Sequence, residues 1–209
     1  VCFIAEGCYP YEVGGVSSWI HSLMHAFPDI EFYLIAIVAN RSVSGKFKYT
    51  LPKNLVTVQE VYLQDFDWVG PKKKQKRSRI SITPAEYAAL QALVMGEAVD
   101  WDTIFALFAN KHISVNQLLM SEQFMEIIMA FYEKNYSKVP FTDTLWTIRS
   151  IYLTLFLALK SGLPQADIYH CVSTGYAGVI GAMARSRFPQ SELLISEHGI
   201  YTREREEEI

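Results

Sequence analysis

A βαβ pattern at the N-terminus restricts the fold more than any other feature of the sequence. Residues 1–5 form a continuous apolar run that stops at Glu6-Gly7, as expected for a strand buried on both faces of a parallel sheet. Apolar side chains then recur at spacings of three and four over residues 16–27, which predicts an amphipathic helix. Apolar runs at 32–39 and 55–63 predict the next two strands. Together these elements indicate a right-handed βαβ unit.

The middle of the chain carries the signals of helix starts instead. Thr83-Pro84-Ala85-Glu86 places a capping hydroxyl, a proline and a returning carboxylate where the N-terminus of a helix uses them. Ser114 and Gln117 repeat the capping-box spacing before a long apolar stripe, and a third helix is predicted at 144–160. We therefore predict a helical insertion at about 65–164.

The α/β pattern returns after the insertion. Strands are predicted at 166–172 and 192–196, with a helix at 175–187 between them. The predicted fold class is therefore α/β, a Rossmann-like, doubly wound parallel sheet of at least five strands with a helical insertion between the third and the fourth. A chain of 209 residues fits one large domain of this kind better than two small ones.

The composition is typical of a soluble globular protein and argues against several functional classes. A net charge of -3 and a pI of about 6.0 give no general attraction to nucleic acid. The three cysteines are odd in number and far apart, which indicates neither a disulfide framework nor a CxxC metal site. The most apolar stretch, 145–159, is interrupted by Arg149 and is shorter than the roughly 20 residues that span a bilayer. A cytoplasmic location is therefore expected.

Three predicted loops lie where an open parallel sheet binds its ligands, beyond the carboxyl ends of the strands. They cover residues 6–15, 173–176 and 197–199. Gly14-Gly15 begins the first helix, so the N–H groups of Gly15 and Val16 are expected to face an anion such as a phosphate. The alternative explanation is a tight turn. The spacing matches neither GxGxxG nor a Walker sequence, which argues against a dehydrogenase or a P-loop enzyme.

The other two loops offer imidazole, carboxylate and hydroxyl groups. His198 lies at the mouth of the fifth strand beside Glu197, and its side chain can donate to a sugar hydroxyl or a carbonyl. A histidine that bonds only to backbone is the alternative. Ser173 and Thr174 can contact a ligand, although capping of the following helix alone explains them.

Two further patterns are better explained without a ligand. His21 and His25 have the i, i+4 spacing of metal ligands, but Ser22 stands where a zinc-protease motif needs glutamate. Both histidines are assigned, with Ser17, to the polar face of the first helix and are interpreted as solvated. The basic run at 72–79 is interpreted as a solvated loop, while contact with an anionic membrane surface stays open.

Three ordered blocks, each at the carboxyl end of a predicted strand, carry a family resemblance. The first is Gly7-Cys8-Tyr9-Pro10-Tyr11 followed by residues 14–20, Gly-Gly-Val-Ser-Ser-Trp-Ile. The second joins His170 to residues 173–178, and the third covers residues 196–205. These blocks resemble the N-terminal signature of the PelF-type enzymes in glycosyltransferase family 4. Residues 65–160 carry little recognisable signature.

The resemblance implies the N-terminal half of a GT-B fold in a retaining, UDP-sugar-dependent glycosyltransferase of exopolysaccharide biosynthesis, with no essential metal. It implies that Gly14 and Gly15 lie near the donor phosphates and His198 near the reacting sugar. The family's main donor-binding elements belong to a C-terminal domain, which this chain is expected to lack. The charged run at 201–209 is interpreted as the start of a helix that extends beyond residue 209 in the natural protein. The isolated chain is expected to be inactive. The candidate residues are His198 and Glu197 for catalysis and, for donor or acceptor binding, Gly14, Gly15, Val16, Ser173, Thr174, Gly175, Tyr176 and Arg203, with no metal ligand.

Two other interpretations stay open. One is a docking module whose helical insertion binds a membrane-associated partner of a polysaccharide synthesis or export complex. The other is an unrelated nucleotide-binding α/β domain, because this fold supports many functions. The expected partners are a nucleotide-sugar, the growing glycan, the C-terminal domain and inner-membrane polysaccharide-synthesis proteins, but not nucleic acid. The expected location is the cytoplasm, at the inner face of the membrane if the basic run binds there.

Overall fold

The computed structural model describes residues 1–64, 80–110 and 113–197 of the chain. The chain divides into two compact units, one made of Val1–Asp65 with Ser161–Ile209 and the other of Phe66–Lys160. The first unit holds a five-stranded sheet, whose strands are β1 (Cys2–Glu6), β2 (Phe32–Val38), β3 (Leu55–Tyr62), β4 (Ile168–Cys171) and β5 (Glu192–Ile195).

All neighbouring strands of this sheet are parallel, and their order is β3-β2-β1-β4-β5. Helix α1 (Gly15–Ala26) connects β1 to β2, and helix α7 (Tyr176–Arg187) connects β4 to β5. The chain therefore moves outward from β1 in one direction and from β4 in the other, so the strand order reverses between β1 and β4. This is the Rossmann-like α/β architecture that the sequence predicts, and it is consistent with the N-terminal half of a GT-B fold.

The two helices cover opposite faces of the sheet, because successive residues of a strand point to opposite sides. Phe3 of β1 and Leu34 of β2 are paired neighbours, and both belong to the core cluster that contains Ile20 of α1. Ile4 and Cys171 are also paired, and they approach Gly181 of α7. Both faces of the central strand are fully buried, which explains why β1 reads as a continuous apolar run.

The buried stripe of α1 differs from the predicted one at Phe27, which is about half exposed, and at Ser17. Ser17, Ile20 and Met24 are its buried residues. The assignment of Ser17 to the polar face is wrong, because the β1–α1 loop folds back over this side of the helix. Ser17 makes a side-chain hydrogen bond with Cys8 of that loop. The hydroxyl is thus satisfied within the protein rather than by solvent.

The second unit is helical, and both predicted capping boxes are present. Thr83 and Glu86 cap the first of its helices reciprocally, and Ser114 and Gln117 do the same for the third. The apolar stripe after Ser114 does not form one helix, because Ser121 starts a new one by accepting the N–H of Phe124. The helices are α2 (Pro84–Met95), α3 (Trp101–Asn110), α4 (Val115–Leu119), α5 (Glu122–Asn135) and α6 (Phe141–Leu159).

Helix α6 begins three residues before the predicted start at residue 144 and buries only one side. Phe156 lies in a cluster of rings with Phe108, Phe124 and Tyr152, whereas Trp146 on the same helix is about half exposed. Within the described parts of the chain, the structure contains no helix with the length and apolar character required to span a membrane.

Candidate functional site

The carboxyl ends of β1, β4 and β5 lie along one edge of the sheet, which we call the carboxyl rim. Because these strands are parallel and β4 pairs with both of the others, the segments that follow Glu6, Cys171 and Ile195 leave the sheet on the same side. The predicted glycine loop, the 173–176 loop and Glu197 therefore share this rim. His198 and Arg203 lie outside the described residues, so their roles stay predictions.

The start of α1 on this rim is open. Gly14 is the N-cap residue in an extended conformation, and among the described side chains none caps the helix. Gly14 and Gly15 are exposed, and a Cβ atom added to either would have no described atom within 4 Å. Val16 is half-buried. The first turn carries no acidic residue, so its N–H groups can donate to an anion that approaches the backbone closely.

The β1–α1 loop that carries these glycines is fastened by the carboxylate of Glu60 on β3. This carboxylate accepts hydrogen bonds from the hydroxyls of Tyr11 and Tyr62, from the Ser44 hydroxyl at 2.7 Å and from the Gly45 N–H at 3.0 Å. Partial burial acts to raise the pKa of Glu60, but these hydrogen bonds outweigh it and lower the pKa to about 2. Glu60 is therefore ionised at neutral pH and joins the loops that follow β1 and β2.

A second set of contacts joins the same two loops. The Nζ atom of Lys48 lies 2.6 Å from Oε2 of Glu12, and the Lys48 N–H donates to the Pro10 carbonyl at 2.9 Å. The rings of Tyr11 and Phe47 meet edge to face, with their centres 5.5 Å apart. A loop with this many partners is held in place before any ligand arrives, which reduces the entropic cost of binding.

The start of α7 is occupied by a side chain that the sequence did not single out. The Oε2 atom of Glu6 accepts the N–H of Ala177 at 3.3 Å, and a Cβ atom at Gly175 would lie 2.8 Å from the same oxygen. The capping role considered for Ser173 and Thr174 is wrong, because Gly175 is the N-cap residue and neither hydroxyl caps the helix.

The remaining predicted residues of this loop lie at the surface or just below it. Thr174 and Gly175 are exposed and Tyr176, the first residue of α7, is half-buried. The Oγ atom of Ser173 is buried and has no hydrogen-bond partner among the described residues. Glu6 ends the central strand of the sheet, and that position of a carboxylate is the signal that could have identified it.

A histidine–serine pair lies beside the rim on the α1 face of the sheet. The Nε2 atom of His170 is 2.7 Å from Oγ of Ser196, the residue that follows β5. The His170 ring packs against Phe3 and Trp19, with ring centres 5.2 Å and 5.4 Å away. Glu197 is exposed and next in sequence to Ser196. Polar groups that can bond to hydroxyls are thus present at the ends of both β4 and β5.

The described residues contain no group of three metal ligands, and two of the three cysteines are buried thiols. All three cysteines are free, and burial raises the pKa of Cys2 and Cys171 to about 12, so both remain thiols. In the ranges 1–64, 80–110 and 113–197, no three His, Cys, Asp or Glu residues are grouped so that they could hold a metal ion.

The second unit has a cavity of its own. It has a volume of about 310 Å³ and lies between α5 and α6. Apolar rings and methyl groups provide most of its wall, while Asp143 contributes a carboxylate. The lining residues are Phe131, Tyr136, Val139, Asp143, Thr144, Thr147, Ile148 and Ile151.

The sheet order defines a Rossmann-like α/β domain whose strand order reverses between β1 and β4, the position at which open α/β sheets bind their ligands. The chain belongs to the family described as Domain of unknown function (DUF3492), whose model matches residues 1–209. This family is a glycosyltransferase-associated domain. Neither the curated proteins nor the solved structures include a significant match to the chain.

Proposed function

We propose that this chain is the acceptor-side, N-terminal domain of a retaining, UDP-sugar-dependent glycosyltransferase of the PelF type in family 4, acting in exopolysaccharide biosynthesis. The observation that carries the proposal is the uncapped glycine start of α1 beside the strand reversal between β1 and β4. Membership of a glycosyltransferase-associated family supports it. The resemblance of the three rim segments to PelF-type enzymes supports the finer assignment.

The two helix starts on the rim have different electrostatic properties. The first turn of α1 presents N–H groups and a partial positive charge of roughly half an elementary charge. The first turn of α7 already holds the carboxylate of Glu6, which repels a phosphate. We therefore assign the donor diphosphate to the Gly14-Gly15 end and the sugar hydroxyls to the 173–176 loop. This division orients a nucleotide-sugar across the crevice.

Transfer requires that the diphosphate leaving group be stabilised as the bond to the anomeric carbon breaks. The α1 start supplies one side of that stabilisation, and in our proposal a C-terminal domain supplies positive side chains on the other. His198, supported by Glu197, donates to the reacting sugar, and Arg203 adds a positive charge near the donor. The complete enzyme acts in the cytoplasm beside inner-membrane partners. The isolated chain then binds UDP-sugar weakly and transfers nothing.

The test uses the full-length protein and measures both hydrolysis of UDP-sugar and transfer to a glycan acceptor. Gly15→Ala introduces a Cβ atom that meets no described atom within 4 Å, so its effect on the fold is small. We expect the KM for the donor to rise about tenfold, because the methyl group keeps the phosphate from the backbone N–H groups. Val13→Ala, at a neighbouring exposed position, is the matched control. An unchanged donor KM in Gly15→Ala contradicts the assigned phosphate site.

A second variant addresses the chemistry. His198→Ala in the full-length protein is expected to lower kcat about a hundredfold or more, as for the loss of a group that exchanges a proton in the transition state. The donor KM should change much less. Unchanged activity in this variant removes His198 from the site, while robust turnover by the isolated 209-residue chain contradicts the need for a second domain.

A further inference from the structure

Two histidines meet on the outer side of α1, away from the carboxyl rim. His21 and His25 are four residues apart, and their ring centres lie 4.4 Å from each other with an angle of 56° between the ring planes. A rise of about 1.5 Å per residue puts them roughly 9 Å and 15 Å along the helix from Gly15. The pair is therefore separate from the proposed phosphate site.

His25 is exposed, as the sequence suggested, whereas His21 is half-buried and packs against aromatic rings. Its ring centre lies 5.9 Å from that of Tyr9 and 4.9 Å from that of Tyr49. Tyr9 is fully buried, and burial raises its pKa to about 12, so the phenol stays protonated. Burial, and the proximity of His25, lower the pKa of His21, which favours the neutral imidazole that binds metals.

The hydrogen bonds of both rings are made by their Nδ1 atoms. The Nδ1 atom of His25 is 2.8 Å from the His21 carbonyl, which only accepts, so Nδ1 carries the proton and Nε2 carries the lone pair. The Nδ1 atom of His21 is 3.2 Å from the Tyr9 hydroxyl, and the tautomer of His21 decides which of the two groups donates. Histidines that bind metals through Nε2 are commonly oriented by bonds of this kind.

The ring spacing is short enough for both imidazoles to reach one ion. With metal–nitrogen distances of about 2.0–2.1 Å, two imidazoles bound to one ion have ring centres about 4–6 Å apart. The observed separation of 4.4 Å lies within that range.

We propose that His21 and His25 form a two-imidazole site for a divalent late transition-metal ion, Ni²⁺ or Cu²⁺, with water in the remaining positions. Imidazole suits these ions, and the i, i+4 spacing brings both nitrogens to one side of the helix. The inference does not depend on the proposed transferase activity, because the two sites share no residue.

The test is titration of the complete chain with NiCl₂ at pH 7.5, followed by isothermal calorimetry. We expect one ion per chain, with at least a tenfold loss of affinity in His21→Ala and in His25→Ala, since each leaves a single imidazole. Tyr9→Phe removes the bond that orients His21 and is expected to weaken binding about tenfold. MgCl₂, a cation that prefers oxygen ligands, should produce no heat of binding.

A spacing control separates this site from any other pair of histidines. The double variant Ser22→His with His25→Ala keeps the number of imidazoles but sets them about 100° apart around the helix, so it should bind as weakly as His25→Ala. Thermal unfolding checks the fold without metal, and Ni²⁺ should raise the Tm of the unmodified chain only. Binding that persists unchanged in the His21→Ala/His25→Ala double variant, or that is abolished by His112→Ala instead, overturns the proposal.

Discussion

A methyl group added at Gly181 tests how tightly α7 packs on the sheet. A Cβ atom at this position would lie 2.3 Å from Sγ of Cys171 and 2.8 Å from Cδ1 of Leu193. Both distances are well below ordinary van der Waals contact, and Cys171 is fully buried on β4. Gly181→Ala therefore forces the Cys171 and Leu193 side chains, or the backbone that carries them, to shift.

The sign of the change in stability follows from two opposing effects. Alanine is favoured over glycine within a helix by about 0.8–1 kcal/mol. Overpacking of a core costs typically about 1–3 kcal/mol, and two short contacts, one of them with the fully buried Cys171, place this site in the upper part of that range. We expect the free energy of unfolding to fall by about 1–2 kcal/mol. For a chain of this size that change lowers the Tm by roughly 2–8 °C.

Gly178 provides a matched control one helical turn earlier. A Cβ atom there lies 3.9 Å from the Ser173 carbonyl oxygen, which is an ordinary contact. Gly178→Ala is therefore expected to leave the protein as stable as before or up to about 1 kcal/mol more stable. The comparison uses urea unfolding, together with hydrogen exchange of peptides from β4 and α7 as a readout local to the first unit. Equal stability of the two variants would refute the packing argument.

Three further predictions concern single polar contacts. The lowered pKa of Glu60 stabilises the folded protein above about pH 4.5, and this stabilisation is lost as the pH falls toward 2. After a discount for the solvent exposure of the side chain, we expect it to contribute about 1 kcal/mol to the free energy of unfolding. Glu60→Gln should abolish this part of the pH dependence in urea titrations at pH 6 and pH 3, and an unaltered profile would count against it. Glu6→Ala should lower the free energy of unfolding by about 1 kcal/mol and increase hydrogen exchange at the start of α7, because the Ala177 N–H loses its acceptor. Unchanged exchange at the start of α7 would contradict this cap. Thr83→Ala should also lower the free energy of unfolding by about 1 kcal/mol, and hydrogen exchange should become faster in α2 but not in α7. Equal effects on both helices would contradict a local cap.

Features that depend on neighbours in sequence could be predicted without coordinates. The capping boxes at Thr83 and Ser114 need only a residue three positions away, and both are present as expected. The apolar runs of β1 and β2 also predict strands without coordinates, because strands buried on both faces contain few polar residues. The prediction of a single long helix after Ser114 is wrong, because this stretch forms the two helices α4 and α5. Ser121 breaks it, and apolar periodicity alone does not reveal such a short interruption.

The candidate site also combines features that the local sequence predicts with contacts that it does not. The exposed glycines at the start of α1 follow from local sequence, since a Gly-Gly pair before an amphipathic stretch needs no distant partner. Glu60 could not be identified from the sequence, because its main partner Tyr11 is 49 residues away. Glu6 reaches Ala177 across 171 residues. Contacts of such range depend on the strand order, which a single sequence does not display.

The sequence by itself determined the α/β class, the capped starts of α2 and α4 and the positions of the rim loops, because hydrophobic period and capping act over one or two turns of chain. Only the tertiary structure decided that a carboxylate occupies the start of α7 while the start of α1 stays open. It also decided that Ser17 is buried and that His21 is packed among tyrosines. These outcomes depend on which strands become neighbours, since parallel pairing brings together side chains from distant parts of the chain.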